Sequence, residues 1–250
     1  MINAADGAYR TAMRDMTRAE RSADIGLGGD GTTTMFLDQF VEGPVLDVLE
    51  KWGVNVLSEE IGWIDRGSAL TAVIDPVDGT ANSAAGVPMS AFGAAIVVDD
   101  VIAECANAWL GTEYRWNAHI DDPVHSRVTP HSTLNGASLS LLRPRPETWA
   151  AWSELATSVD RIRVLGSSVL EGCLVADGAI DAFCDPGGDI HRIVDVAPLI
   201  LLMEKAGGVV RDAFDRPFHF EPDLSLRWSS VVASTPQLAD QICEVLQRNK

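Results

Sequence analysis

The chain has 250 residues, 46% of them apolar, with 36 acidic against 19 basic residues and a net charge of −17. That length makes one large domain or two small ones, with enough apolar content for a sizeable core. The acid excess argues against nucleic acid or an anionic membrane as partner, and no apolar run approaches the ~18 residues of a membrane span.

Taken in chain order, apolar residues at helical spacing (Ala5, Ala8, Ala12, Met16, Ala19) predict a first helix over 4–22, mixed in charge and unlike a signal peptide. A second helix is expected over 35–51, broken or kinked at Gly43-Pro44. Strands follow near 53–58, 70–75, 91–98, 101–109 and 112–117, the last three as a meander turning first at Asp99-Asp100. Residues 118–135 have no clear period and read as a connection. Strands at 137–142, 161–165, 179–184, 208–211 and 230–233 then alternate with helices at 147–158, 167–176, 195–206 and 236–248. The alternation predicts layered α/β structure, with an N-terminal α+β half (1–125) and a C-terminal α/β half (126–250) in one compact unit.

The segment Ile74-Asp75-Pro76-Val77-Asp78-Gly79-Thr80 places two carboxylates around a stiff proline at the end of an apolar run. Asp75, the Val77 carbonyl and Asp78 are hard oxygens of the kind Mg²⁺ prefers. Gly79 permits close backbone approach, and free N–H groups after the turn favour an anion such as phosphate. An ordinary strand-to-turn junction is the plainer alternative. Ser58-Glu59-Glu60 ends a neighbouring strand, where only one of two successive side chains faces a given side. Asp195 opens a downstream helix closed by Gly207-Gly208, where it could simply favour the helix dipole. Gly166-Ser167-Ser168 joins a strand to a helix, either as an N-cap or as a polar loop for substrate hydroxyls.

The order of these segments resembles the inositol monophosphatase and fructose-1,6-bisphosphatase superfamily, especially its short archaeal branch. Glu59-Glu60 resembles the paired-glutamate motif, Asp75 to Thr80 the D-P-[IV]-D-G-T motif, and Asp195 to Gly208 the D-x-A…E-A-G-G motif. Gly29-Asp30-Gly31-Thr32 up to Asp38 looks like the archaeal segment before the second helix. The resemblance implies a five-layer αβαβα sandwich, α/β in class, of the sugar phosphatase type. It implies two or three Mg²⁺ ions held by Glu59, Asp75, the Val77 carbonyl, Asp78 and Asp195. Glu59 and Thr80 would orient and deprotonate the attacking water, with Asp38 the acid near a third metal. Asp78, Gly79, Thr80, Gly166, Ser167 and Ser168 would meet the substrate, a small phosphorylated polyol or sugar. Arg192 matches an archaeal arginine and is either a clamp for a second phosphate or a surface salt bridge.

Departures bear on the substrate. Asp185-Pro186-Gly187-Gly188 replaces a more basic stretch, and Val194 stands where the family commonly has tryptophan. The resemblance also implies a homodimer or tetramer. Four cysteines without C-x-x-C spacing predict buried thiols and a cytoplasmic protein. Only 3 of the 19 basic residues are lysine, which with the acid excess reads as adaptation to high salt, a GC-rich genome being the alternative. A 3′-phosphoadenosine nucleotidase and a non-catalytic regulatory member of the fold are the other functional readings. The five histidines are scattered, and Ser229-Ser230 and Thr32-Thr33-Thr34 read as strand or turn residues.

Overall fold

The computed structural model describes all 250 residues. Helix α1 (Ile2–Asp15) is followed by a single turn α2 (Arg18–Arg21), the two-stranded ribbon β1 (Asp24–Leu27) and β2 (Thr33–Met35), and α3 (Phe36–Trp52). Strands β3 (Asn55–Ser58), β4 (Gly62–Ile64) and β5 (Leu70–Asp78) lead to the short α4 (Thr80–Ala85). Then come β6 (Ala91–Val98), β7 (Val101–Trp109) and β8 (Arg115–His119). The second half contains β9 (Ser138–Leu141), α5 (Trp149–Ser158), β10 (Arg161–Arg163), α6 (Ser168–Ala176) and β11 (Ala182–Cys184). It closes with α7 (Ile193–Ala206), β12 (Val209–Asp212), β13 (Ser230–Ala233) and α8 (Pro236–Arg248).

A six-stranded sheet runs β4-β3-β5-β6-β7-β8, and a five-stranded sheet runs β10-β9-β11-β13-β12. Alternation along the strands of the first sheet feeds two cores. Val56, Ala72, Ile74 and Phe92 point towards α1 and α3, whereas Leu57, Val73 and Ala95 point towards α6 and α7. The other face of the α6–α7 layer meets Phe183 and Val232 of the second sheet, whose far side packs on α5 and α8 through Leu139, Leu155, Leu238 and Ile242. The layers therefore run helix, sheet, helix, sheet, helix, the expected sandwich. Helices α6 and α7 pack so tightly that a Cβ on Gly172 would lie 2.3 Å from Leu199 Cδ1.

Local chemistry explains where the elements depart from expectation. The first helix stops at Asp15, because Thr17 and Glu20 build a reciprocal capping box (Glu20 N–H to Thr17 Oγ1 3.3 Å, Thr17 N–H to Glu20 Oε2 2.7 Å) that starts a new turn. Helix α3 runs through Gly43-Pro44 without a break, held by Val41, Val45 and Leu49, all fully buried on the sheet. Helix α7 begins at Ile193 rather than at Asp195, so buried Pro198 lies in its second turn, not its first. Its carbonyl accepts a bond from Asn107 Nδ2 at 2.9 Å. Strand β4 and the β1–β2 ribbon were not expected from periodicity. The Asp99-Asp100 turn is as read, with both residues at positive φ (48° and 62°), the backbone of a tight hairpin turn.

Candidate active site

Strand β5 loses register with β6 between Asp75, opposite Gly93, and Asp78, opposite Ala91. One extra residue is accommodated there as a bulge around Pro76, which has no N–H to give the ladder. Gly79 follows at φ +87°, and a Cβ there would sit 2.8 Å from the Met89 carbonyl oxygen, so only glycine fits. Helix α4 starts at once, leaving its first N–H groups without backbone partners.

The carboxylate oxygens of Glu59, just after β3, Asp75 on β5 and Asp195 in the first turn of α7 lie within 4.8 Å of one another. Adjacent parallel strands bring Glu59 and Asp75 to one edge, since β3 pairs with β5 from Asn55↔Thr71 to Ser58↔Ile74. Glu60 turns elsewhere and accepts a bond from the Thr34 hydroxyl. Asp195 is fixed by the Arg192 N–H, 2.7 Å from Oδ2.

Arg192 is neither exposed nor free. Its guanidinium, with the side chain 15% exposed, donates to Glu59 Oε1 at 2.6 Å and Asp195 Oδ2 at 3.2 Å, and also to Asp30. The surface-salt-bridge reading is therefore replaced by a buried hub that joins the ribbon loop, β3 and α7.

Asp78 lies outside the three-acid group. Its carboxylate accepts from Ser167 Oγ (2.5 Å), Val169 N–H (2.7 Å) and Ser168 N–H (3.0 Å), at the N-terminus of α6. Oδ1 accepts only the bond from Ser168, so it keeps a lone pair for another partner. Ser167, expected to meet substrate, is 1% exposed with its hydroxyl committed to Asp78. Gly166 and Ser168 line a cleft of about 300 Å³ with Asn82, Arg143, Arg145 and Asp185. Arg145, Gly188 and Ile190 also line an adjoining depression of about 470 Å³ reached by Asp30, Glu59, Arg192 and Arg227. Arg143, Arg145 and Arg227 carry no motif in the sequence, and only tertiary structure brings Arg227 beside the Arg143-Pro144-Arg145 segment.

Sequence reading missed Glu171. This buried glutamate accepts the N–H groups of Leu165 (3.2 Å) and Ser167 (3.1 Å) and the Ser140 hydroxyl, and so shapes the Gly166 loop. The S-x-x-E pattern Ser168–Glu171 forms no capping box, since the N-cap is Ser167, whose side chain makes no cap bond.

Thr80 Oγ1 donates to the Val77 carbonyl at 3.0 Å, and the same hydroxyl faces the Asp38 carboxyl. Asp38 is 3% exposed, and its Oδ1 has no partner although it is buried. Burial first, then the charge of Glu60, push Asp38 up to about 7. Burial likewise pushes Glu59 to about 8, against the pull of Arg192, and Asp78 to about 6, against the Ser167 hydroxyl. Asp75 is driven well above the usual range by burial and by Glu59, Asp78 and Asp195. Such crowding of buried carboxylates favours either protons or a hard divalent cation. The three converging acids, the spare lone pair of Asp78 and the orphaned Asp38 oxygen fit the cation.

The whole chain, residues 1–250, matches the model of the inositol monophosphatase family. A fructose-1,6-bisphosphatase/inositol-1-monophosphatase of Archaeoglobus fulgidus is 31% identical over 210 residues, 82% of this chain and 81% of that protein. A protein of the same name from Thermococcus kodakarensis is 29% identical over 231 residues, 90% and 87% of the two chains. The crystal structure of an inositol monophosphatase-fructose 1,6 bisphosphatase superposes with a TM-score of 0.87 at 26% identity, covering 98% of this chain and 97% of that one.

Proposed function

The chain belongs to the inositol monophosphatase family and is a phosphatase of that family, and we propose that it hydrolyses a phosphate monoester of a small polyol or sugar with Mg²⁺. The observation that carries this reading is the convergence of Glu59, Asp75 and Asp195 from three separate elements. Two or three Mg²⁺ ions held by these acids, the Val77 carbonyl and Asp78 would supply positive charge to the phosphate and acidify a bound water.

The chain's own groups do the rest. The free N–H groups of Gly79 and Thr80 hold phosphate oxygens. Glu59, ionised when a cation is held beside it, and the Thr80 hydroxyl orient the attacking water, and Glu59 takes its proton. Asp38, whose buried Oδ1 has no partner, would help to hold a third cation where one binds. Water attacks phosphorus in line, the bond to the sugar oxygen opposite it breaks, and the departing oxygen takes a proton from water. Gly166 and Ser168 meet the hydroxyls of the leaving group.

Inositol 1-phosphate and fructose 1,6-bisphosphate are the substrates proposed. A second phosphate is favoured by Arg145 and Arg227, which flank the acid cluster and form no ion pair with a carboxylate; Arg227 donates instead to the Leu226 carbonyl at 3.0 Å. This moves the clamp role from Arg192, whose guanidinium is already shared by three acids. No helix is long and apolar enough to cross a membrane. Four free, buried thiols support a cytoplasmic location, and a homodimer or tetramer is the proposed assembly.

The test is phosphate release from both substrates with Mg²⁺ at molar salt. Asp75→Asn is expected to lower turnover by about 10²–10³-fold, the range lost when a principal electrostatic group is removed. Equal rates for wild type and variant refute the reading. Arg145→Ala is expected to slow bisphosphate turnover while leaving inositol 1-phosphate within about twofold; a Lys or Arg contact to one phosphate is worth that selectivity.

A further inference from the structure

His191 stands behind the cleft, 2% exposed, its ring edge-on to Phe183 at 5.4 Å. Both ring nitrogens meet serine hydroxyls. Nδ1 lies 2.7 Å from Ser230 Oγ, and Nε2 lies 3.1 Å from Ser168 Oγ. Burial holds the imidazole below its ordinary pKa, so the ring is neutral, with one donor and one acceptor nitrogen.

Satisfaction of hydrogen bonds selects the tautomer. Ser230 is 2% exposed, and His191 is the only partner of its hydroxyl. Were Nδ1 the donor, the Ser230 hydrogen would be buried with no acceptor, at the full desolvation penalty of an unmade bond. Ser230 therefore donates to Nδ1, and Nε2–H donates to Ser168. The lengths agree: hydroxyl donors make the shorter bonds. Ser168 thus accepts from behind and keeps its own hydrogen. Its N–H is anchored on Asp78 Oδ1 at 3.0 Å, and its side chain borders the cleft.

We propose that Ser230 and His191 are positioning residues that oblige the Ser168 hydroxyl to donate into the cleft, to a hydroxyl oxygen of the polyol or sugar. The relay reaches the substrate only through Ser168. The identity of that acceptor rests on the function proposed above, whereas the tautomer does not.

Two measurements test it on the full chain. Long-range ¹⁵N–¹H NMR of the histidines reads the tautomer without substrate, and the Nε2–H form is expected; an Nδ1–H form overturns the proposal. Kinetics with Mg²⁺ then compare inositol 1-phosphate with p-nitrophenyl phosphate, which has no ring hydroxyls. Ser168→Ala and Ser230→Ala are each expected to lower kcat/KM on inositol 1-phosphate by about tenfold, mainly through KM, the size of one hydrogen bond. The double variant is expected to be no worse than Ser168→Ala alone, and p-nitrophenyl phosphate turnover by Ser230→Ala to stay within about twofold. A Ser230→Ala loss that persists in the Ser168→Ala background, or equal losses on both esters, overturns the relay. A wild type that cleaves p-nitrophenyl phosphate but not inositol 1-phosphate overturns the polyol acceptor, and a wild type that cleaves neither ester refutes the phosphatase reading; the NMR result is unaffected by either.

Discussion

Asp75 and Asp195 are both buried and share one cluster, yet burial and its acidic neighbours drive Asp75 up, while Asp195 ends below its ordinary pKa. Burial opposes ionisation in both. At Asp195 the Arg192 charge outweighs it, helped by the bond from the Arg192 N–H. Removing that guanidinium leaves Glu59, Asp195 and Asp30 uncompensated. Breaking a buried ion pair in this way costs about 3–5 kcal/mol. Arg192→Gln is therefore expected to lower the melting temperature of the metal-free protein and to enlarge the rise that Mg²⁺ produces, since a cation then replaces the lost charge. Differential scanning fluorimetry with and without MgCl₂ checks this, and an unchanged Mg²⁺ response would refute it. At this scale the convergence of Glu59, Asp75 and Asp195 was legible, because each lies in a segment that resembles a family motif. The inward turn of Ser167 was not, because it depends on Asp78 arriving at the start of α6 from 89 residues away.

Among the elements, α3 and the β5–α4 turn show sequence rules overridden and obeyed. Pro44 removes a helical hydrogen bond, yet α3 continues, because its buried face on the six-stranded sheet outweighs one lost bond. Pro44 itself is exposed, so Pro44→Ala removes no core contact. It is expected to stabilise the protein by about 1 kcal/mol or more, the interior penalty of proline being ~3 kcal/mol less what relaxation has already recovered. Denaturant midpoints measure this, and a lower midpoint contradicts it. Gly79 obeys its rule. Gly79→Ala meets both the positive φ and the Met89 carbonyl, and is expected to destabilise by roughly 1–3 kcal/mol and to misplace the phosphate-facing N–H groups. Strand β4 and the ribbon escaped notice because they are short, and the ribbon strand β1 is exposed throughout, so no alternating burial was imprinted on it.

Across the whole molecule, charge dominates the response to conditions. Glu59 at about 8 and Asp38 and Glu171 at about 7 all stand above their unfolded values, and burial is the leading cause in each. Between those unfolded values and pH 8 the folded, metal-free chain binds more protons than the unfolded chain. Its stability is then full below the unfolded values and falls as pH rises through 7 and 8. The metal-free melting temperature is expected to drop from pH 5 to pH 8.5, and Mg²⁺ to flatten the trend. Because ligands must ionise to hold a cation, Mg²⁺ binding at pH 7 is expected to release protons, measurable by calorimetry in buffers of different ionisation enthalpy. The net charge of −17 adds a screening term. At molar KCl the Debye length shrinks to about 3 Å, so the melting temperature is expected to rise with KCl; no rise would favour the genomic explanation of the arginine bias.

Periodicity determined the layered α/β class, because burial patterns are written locally along the chain, and the resemblance of its motifs to a known family singled out Glu59, Asp75 and Asp195, which converge. Tertiary structure decided which groups face one another: Arg192 among three acids, Asp78 at the start of α6, Glu171 under the substrate loop, Ser230 and His191 behind Ser168. These pairings join segments up to 162 residues apart. Each is settled by the need to satisfy a buried charge or hydrogen-bonding group, and that need arises only when packing has removed the water.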